Sequence, residues 1–472
     1  MNRLYKLLII AGLAFALNPS RLCADNGQNA YTYILQTPSL AQAQAICLKY
    51  GLTLLSTVHS PDTYLVQVSA SVDPRNLADW MKDDPDVKHL EVDKEFKQSQ
   101  DKGAGANVST TSPTAIYLSD GNLISIYGKS ALVAYVQQPA FYSSSLYSAG
   151  VKAGLRGTGT VVAVIDTGID EQNPILAPVV IPGYDFTRNL PGFASDLADL
   201  DQSTAHILHQ STAHILHQST AHILHQLNNS SAAVLDSATA NALASTVLPN
   251  DFGHGTMVAG LIHLVAPGAQ IMPLKTFNAD GTGDEANIVR AIYFAADNKA
   301  KIINMSFGLR DISDALMKAI NYANRKGVIC IASVGNDALT TLVYPAAFGN
   351  VIGVASVDPQ NQPSLFTNRG PDLVTIAAPG ENLVTTFPGD QYAVASGTSF
   401  SAPLVAGAAS LMFGAANVNI ASQLQEADIA RALRHSIPCV TDGSLGSGCM
   451  DMAQAIDFIK SMTLKGPSGG NN

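Results

Sequence analysis

Val161-Val162-Ala163-Val164-Ile165-Asp166-Thr167-Gly168 is the stretch on which the fold turns. It is apolar at every position rather than every second one, as a strand buried on both faces requires. It closes on a carboxylate followed by turn residues. Working outward, comparable runs recur at residues 271–274, 302–305, 328–332, 351–355 and 374–377. Helical periods alternate with them. Ile288, Ala291, Ile292 and Ala295 share one face; Ile312, Ala315, Leu316, Ala319 and Ile320 share another, stopped at Gly327. Buried strands alternating with helices predict an α/β fold around a parallel sheet. Chemistry in such sheets gathers beyond the carboxyl ends of the strands, where Asp166, Ser306 and Asn336 fall.

The chain of 472 residues is long enough for two or three domains, and at 47% hydrophobic and 14% charged it can bury a large core. A net charge of −10 without any basic run argues against nucleic acid as a partner. At the N-terminus, Arg3 and Lys6 precede an apolar stretch from Leu7 to Leu17, with small residues near Ala24. That is the layout of a signal peptide over residues 1–24, and an exported, soluble product is expected, extracellular or periplasmic. Lipoprotein anchoring on Cys23 is disfavoured by Arg21 and Leu22, which stand where small residues belong. No other segment reads as long enough and apolar enough to span a bilayer. Cys439 and Cys449 flank a Gly/Ser-rich loop and are the candidate disulfide; Cys330 reads as a buried thiol, and Cys47 has no evident partner.

Residues 27–97 read as a unit of their own. Strands at 31–35, 52–58, 64–68 and 87–92 and helices at 39–50 and 74–83 give the order βαββαβ of a ferredoxin-like α+β motif. On the first helix, Leu40, Ala43, Cys47 and Tyr50 share a face. Residues 98–134 read as a linker and processing region, polar and open to proteolytic cutting over 98–113 and without a clear period from 115; 135–462 read as the main α/β domain and 463–472 as a flexible tail.

Within the main domain a segment of about 195–245 breaks the pattern. Residues 203–226 are Ser-Thr-Ala-His-Ile-Leu-His-Gln three times over, holding His206, His209, His214, His217, His222 and His225 of the chain's 11 histidines. On a helix a period of eight drifts by about 80° per repeat, so no continuous stripe forms; on a strand it keeps its face. Flanking residues 230–237 and 195–202 resemble decayed copies without histidine. The histidines therefore track the duplicated unit rather than a fixed metal geometry, and the segment reads as a tolerated surface insertion.

Three short motifs and a helix head can be set side by side. Asp166 closes its strand; His254 opens a helix in Asp251-Phe252-Gly253-His254-Gly255-Thr256; Asn336 follows a strand in Ser333-Val334-Gly335-Asn336. Ser399 heads the small-residue helix that begins Gly397-Thr398-Ser399-Phe400-Ser401-Ala402-Pro403. Each alone is also a strand-end cap, a helix-start histidine, a turn asparagine or an N-cap serine. Jointly they supply what acyl transfer needs. A serine hydroxyl requires an imidazole to take its proton, the imidazole requires a carboxylate to orient it, and the oxyanion requires fixed donors.

In motifs and in the order Asp, His, Ser, the sequence resembles the subtilisin-type serine proteases, the subtilase family, over about residues 135 to 460. The resemblance implies Asp166, His254 and Ser399 as catalytic triad and Asn336 as oxyanion-hole side chain. It implies Ser306, Phe307 and Gly308 along one side of the S1 pocket, and Gly281, Thr282 and Gly283 as an edge that pairs with extended substrate. Tyr344-Pro345-Ala346 is a further landmark. Residues 27–97 then resemble the family's propeptide, an intramolecular chaperone and inhibitor, with the autoprocessing site in or beside the linker. Protein or peptide substrates are implied. No cofactor is required for the chemistry, and structural calcium has no clear Asp-x-Asp-x-Asp-Gly loop to support it. Phe400 stands where many relatives carry methionine, and the insertion lengthens the interval between Asp166 and His254. Two rivals remain at this stage: an exported binding protein on an inactive protease fold, and a serine-carboxyl peptidase, which would place a glutamate where His254 stands.

Overall fold

The computed structural model describes residues 31–68, 74–97, 123–126, 129–145, 154–200, 216–217, 249, 251–389, 391–416, 424, 426–435, 439 and 443–464. The leader at 1–24, residues 98–122 of the linker, nearly all of the repeat insertion and the end of the tail lie outside them. First along the chain come β1 (Thr32–Gln36), α1 (Leu40–Tyr50), β2 (Leu52–His59), β3 (Thr63–Val68), α2 (Pro74–Met81) and β4 (His89–Val92), in the order βαββαβ. Their sheet runs β2-β3-β1-β4 with antiparallel pairs. Ser39 caps α1 by accepting the Gln42 N–H, and Gly51 ends it in the left-handed conformation. Ala43, Ile46 and Cys47 form the buried face of α1, whereas Leu40, at the helix start, is exposed. Alternation along β1 sends Tyr33 and Leu35 into this unit's core and Ile34 toward the main body.

After β5 (Glu95–Lys97), β6 (Leu123–Ile126) and β7 (Lys129–Leu132) form an antiparallel hairpin. Ala131, Leu132 and Ala134 are already buried in the body's core, so the body begins before residue 135. The body continues with β8 (Val161–Asp166), β9 (Gly183–Asp185), β10 (Leu190–Gly192), β11 (Leu216–His217), β12 (Gln270–Lys275), β13 (Thr282–Asp284) and β14 (Ile302–Met305). It closes with β15 (Ile329–Ser333), β16 (Ile352–Val357), β17 (Ile376–Pro379), β18 (Leu383–Phe387) and β19 (Gln391–Ala395). Its longer helices are α3 (His254–Val265), α4 (Glu285–Asp297), α5 (Asp314–Arg325), α6 (Thr398–Ala415), α7 (Glu426–Leu433) and α8 (Met452–Leu464).

The principal sheet has the order β10-β9-β12-β8-β14-β15-β16-β17 and is parallel except for β10. Val162 and Val164, with Ile302, Ile329 and Ile331, join the core that contains α3 and α6. Ala163 and Ile165, with Ile303, Met305 and Cys330, join the core that contains α4 and α5. Helices on both faces explain why the strands are apolar at every position. β8 lies between β12 and β14, so the chain leaves it to both sides and Asp166 stands at the switch point.

β11 is the described part of the repeats: Leu216 and His217 pair in parallel with Ala393 and Val394 of β19, extending the β18–β19 hairpin. α6 corrects one expectation. At 18 residues it is apolar and long enough for a membrane span, but it is buried from Thr398 to Phe413 inside the fold. Cys439 and Cys449 form a disulfide, and Cys47 and Cys330 are buried thiols.

The N-terminal unit sits on α4 and α5. The His59 ring stacks on Tyr293 at 3.8 Å and meets Tyr322 edge-on at 5.0 Å. Glu91 accepts the N–H groups of Asp314 (3.2 Å) and Ala315 (2.7 Å) at the head of α5, and Asp93 accepts that of Ala286 (2.9 Å) at the head of α4. Carboxylates thus meet the positive ends of two helices. β5 pairs antiparallel with β13, Phe96 opposite Gly283 and Lys97 opposite Thr282.

Candidate active site

Asp166 is placed by β8 and wholly buried. Its Oδ1 accepts the Thr167 N–H at 2.8 Å and lies 2.7 Å from Nδ1 of His254. His254 is the first residue of α3, and this helix must come very close to the end of β8 for the pair to meet. Gly255 permits it: a Cβ there would stand 2.0 Å from the carbonyl oxygen of Gly168. Gly168 in turn has φ +112°, a conformation that favours glycine, and a Cβ there would meet the backbone of residues 194–196. Gly255 thus lets α3 reach the end of β8, and Gly168 lets residues 194–196 close over that same end.

Ser399 lies in the first turn of α6, whose N-cap, Gly397, offers no side chain. The Thr398 N–H is instead accepted by Oδ1 of Asn336 at 2.8 Å, in the loop that follows β15. Pro403 adds a second constraint. Lacking an N–H, it leaves the carbonyl of Ser399, four residues earlier, without its helical donor. The Ser306 hydroxyl donates to that carbonyl at 2.8 Å, and Ser306 accepts from Nδ2 of Asn304 at 2.9 Å. The Ser399 hydroxyl points back toward the Ser306 carbonyl at 3.4 Å. Phe400, next to Ser399, brings its ring to 5.2 Å from that of His254. Asp166, His254, Asn336 and Ser399 are all buried, the last three retaining slight exposure.

Of the other expected residues, Ser306, Phe307 and Gly308 follow β14 directly. A Cβ on Gly308 would stand 2.4 Å from a methyl of Val343, so these two segments press together beside Ser399. Gly281 precedes β13 and Thr282 and Gly283 lie on it, the edge occupied by β5. Asn368 braces the loop bearing Asn336: its Oδ1 accepts the Asp337 and Leu339 N–H groups and its Nδ2 donates to the Val334 carbonyl.

Sequence reading missed the supporting residues. Pro403 carried a legible signal, since a proline inside a helix frees a known carbonyl. Asn304 opens the segment running to Gly308 that resembles one side of S1, and Asn368 carried no signal. Among the described residues no group of three or more His, Cys, Asp and Glu side chains is arranged to hold a metal ion.

Comparison with known proteins agrees with this architecture. Residues 157–454 match the model of the subtilase family, Peptidase_S8. The chain is 33% identical over 263 residues to the thermophilic serine proteinase of Bacillus sp. (strain AK1), covering 56% of this chain and 54% of that one. It is 31% identical over 266 residues to thermitase of Thermoactinomyces vulgaris, covering 54% and 75% respectively. The match thus spans about half the length of the first of these relatives. The crystal structure of fervidolysin from Fervidobacterium pennivorans, described as a keratinolytic enzyme related to subtilisin, superimposes with a TM-score of 0.62 at 19% identity. That superposition covers 92% of this chain and 62% of that one, a likeness of fold.

Proposed function

The chain belongs to the subtilase family, and on that premise we propose that it is an exported serine endopeptidase made as a proenzyme. The observation that carries the proposal is the buried pairing of Asp166 with His254 at 2.7 Å, beside the helix headed by Ser399. In this reading the Ser399 hydroxyl attacks the scissile carbonyl and His254 takes its proton. Asp166 holds the imidazole with Nδ1–H toward itself and stabilises the imidazolium. His254 then passes the proton to the leaving amine, and water repeats the cycle on the acyl-enzyme. The tetrahedral oxyanion is received by Nδ2 of Asn336 and the N–H of Ser399 at the positive end of α6.

The N-terminal unit is read as the propeptide. Its last described strand pairs with the edge at Thr282–Asp284, as a substrate adding a strand would, and the chain leaves Lys97 into the linker in which cutting is expected. The leader at 1–24 is read as the export signal, removed with Cys23. Substrates are proteins or peptides, and the chemistry needs no cofactor.

Ser399→Ala tests the reading. The variant is expected to lose peptide hydrolysis and to keep residues 27–97 attached, and a fluorophosphonate probe is expected to label Ser399 only in the unaltered chain. Undiminished turnover in the variant would overturn the assignment.

A further inference from the structure

α3, the helix that starts with His254, has no cap of its own, because Gly253 stands at the N-cap. Its early N–H groups find acceptors elsewhere. Asp251 O takes that of His254 at 3.1 Å, Thr167 Oγ1 that of Gly255 at 3.0 Å, and Asp196 Oδ2 that of Thr256 at 3.2 Å. Two hydroxyls are then committed by what they accept. Thr167 Oγ1 already receives Gly255 N–H, so its proton goes to Asp196 Oδ1 at 2.6 Å. Thr256 Oγ1 receives the Asp170 N–H at 2.8 Å, so its proton goes to Asp196 Oδ2 at 2.5 Å. One wholly buried carboxylate therefore collects three donors from both sides of the Asp166–His254 pair.

We infer that Asp196 is a positioning residue for the catalytic pair, a cap supplied from a distant loop that locks the residue after Asp166 to the first turn of the helix bearing His254. The inference rests on the protease reading of Asp166, His254 and Ser399. Asp166 and His254 are tied directly and again around the back, through Thr167–Gly255 and Asp196–Thr256. Three hydrogen bonds and the positive helix end favour the charged carboxylate. The buried Lys275 adds a cation: its ammonium donates to the carbonyls of Thr167 and Phe277 and to Asp199 Oδ2. Burial works the other way and raises Asp196 to about 7. The short helical turn Asp196–Asp199 falls within the segment of about 195–245 read as a surface insertion, but Asp196 is wholly buried and bonded to the catalytic elements, so the surface reading does not hold for this first turn.

An asparagine at 196 offers one acceptor oxygen in place of two and adds donors where two hydroxyl protons already point. Thr167→Val removes the relay hydroxyl, and Thr167→Ser keeps it. In the full chain, with rates expressed per Ser399 labelled by a fluorophosphonate, Asp196→Asn and Thr167→Val are expected to lower kcat by about 10- to 100-fold, KM staying within about threefold. Thr167→Ser is expected to restore kcat. Should Asp196→Asn fail to fold, the two Thr167 variants decide. Unchanged kcat per labelled site in Asp196→Asn and Thr167→Val, whatever happens to Tm, overturns the inference alone. Failure of the unaltered chain to label at Ser399 overturns the protease reading and the inference with it.

Discussion

Asn336 Oδ1 accepts the N–H of Thr398, the residue before Ser399, at 2.8 Å. That bond settles which way the amide faces, so Nδ2 points the other way, and it has no hydrogen-bond partner among the described residues although it is buried. A buried unpaired donor costs about 1–3 kcal/mol, a cost that an oxyanion arriving in the transition state would remove. Asn336→Leu is therefore expected to lower kcat by about 10²–10³, a magnitude carried over from the corresponding donor of subtilisin, with KM little changed. Steady-state kinetics on one peptide check this. A raised KM at constant kcat would assign the amide to ground-state binding instead.

Docking of the N-terminal unit is expected to depend on pH from both sides. Asp93, raised to about 6, and Glu285, raised to about 7, are shifted chiefly by burial where the unit meets the heads of α4 and α5. Glu91, Asp284 and Glu95 add like charge around them and Lys94 opposes it. Undocking returns both groups toward ordinary carboxylate values. Protonation thus favours docking: the contribution is complete below about pH 4 and is lost as pH rises through about 6 to 7. His59 acts oppositely. Burial against Tyr293 lowers its value despite Asp62 and Asp297, so charging it on acidification weakens docking. Hydrogen exchange at the β5–β13 pair, corrected for its intrinsic pH dependence, is expected to be slowest in mildly acidic solution. Glu285→Gln is expected to flatten the alkaline limb and His59→Phe the acidic one. Limbs that persist unchanged in both variants would remove these groups as the cause.

The parallel sheet was legible because burial on both faces leaves no polar position in a strand, as Val161 to Ile165 show. The small unit was legible because its caps and turns, Ser39, Gly51 and Pro61, punctuate strong local patterns. Asp166, His254, Asn336 and Ser399 stood out because each sits in a short motif, and in three of these Gly168, Gly255 and Gly335 stand where a Cβ would meet a neighbour. Asp196 and Asn368 did not. Their partners lie in distant parts of the chain, and an isolated buried Asp or Asn has no periodic or motif signature. The hairpin of β18 and β19 was also missed, since Leu383 to Ala395 mixes small polar and apolar residues without a clean alternation.

Val343 is the residue from which substrate preference is expected to follow. One of its methyls would stand 2.4 Å from a Cβ on Gly308, and the other 3.7 Å from one on Gly335. The side chain is buried between the segment Ser306–Gly308, expected to line one side of the pocket for the residue before the scissile bond, and the loop of Gly335. Its two methyls are expected to take space that a larger substrate side chain would need, and overpacking such a site costs about 1–3 kcal/mol. The unaltered chain is therefore expected to prefer small side chains at that substrate position. Val343→Ala frees two methyl groups and is expected to raise kcat/KM for leucine or phenylalanine, relative to alanine, by about 10- to 100-fold. Cleavage-site profiling of a peptide library with both chains reads this directly. If the two profiles coincide, Val343 braces Gly308 without bordering the pocket, and the determinant of preference lies on the opposite wall.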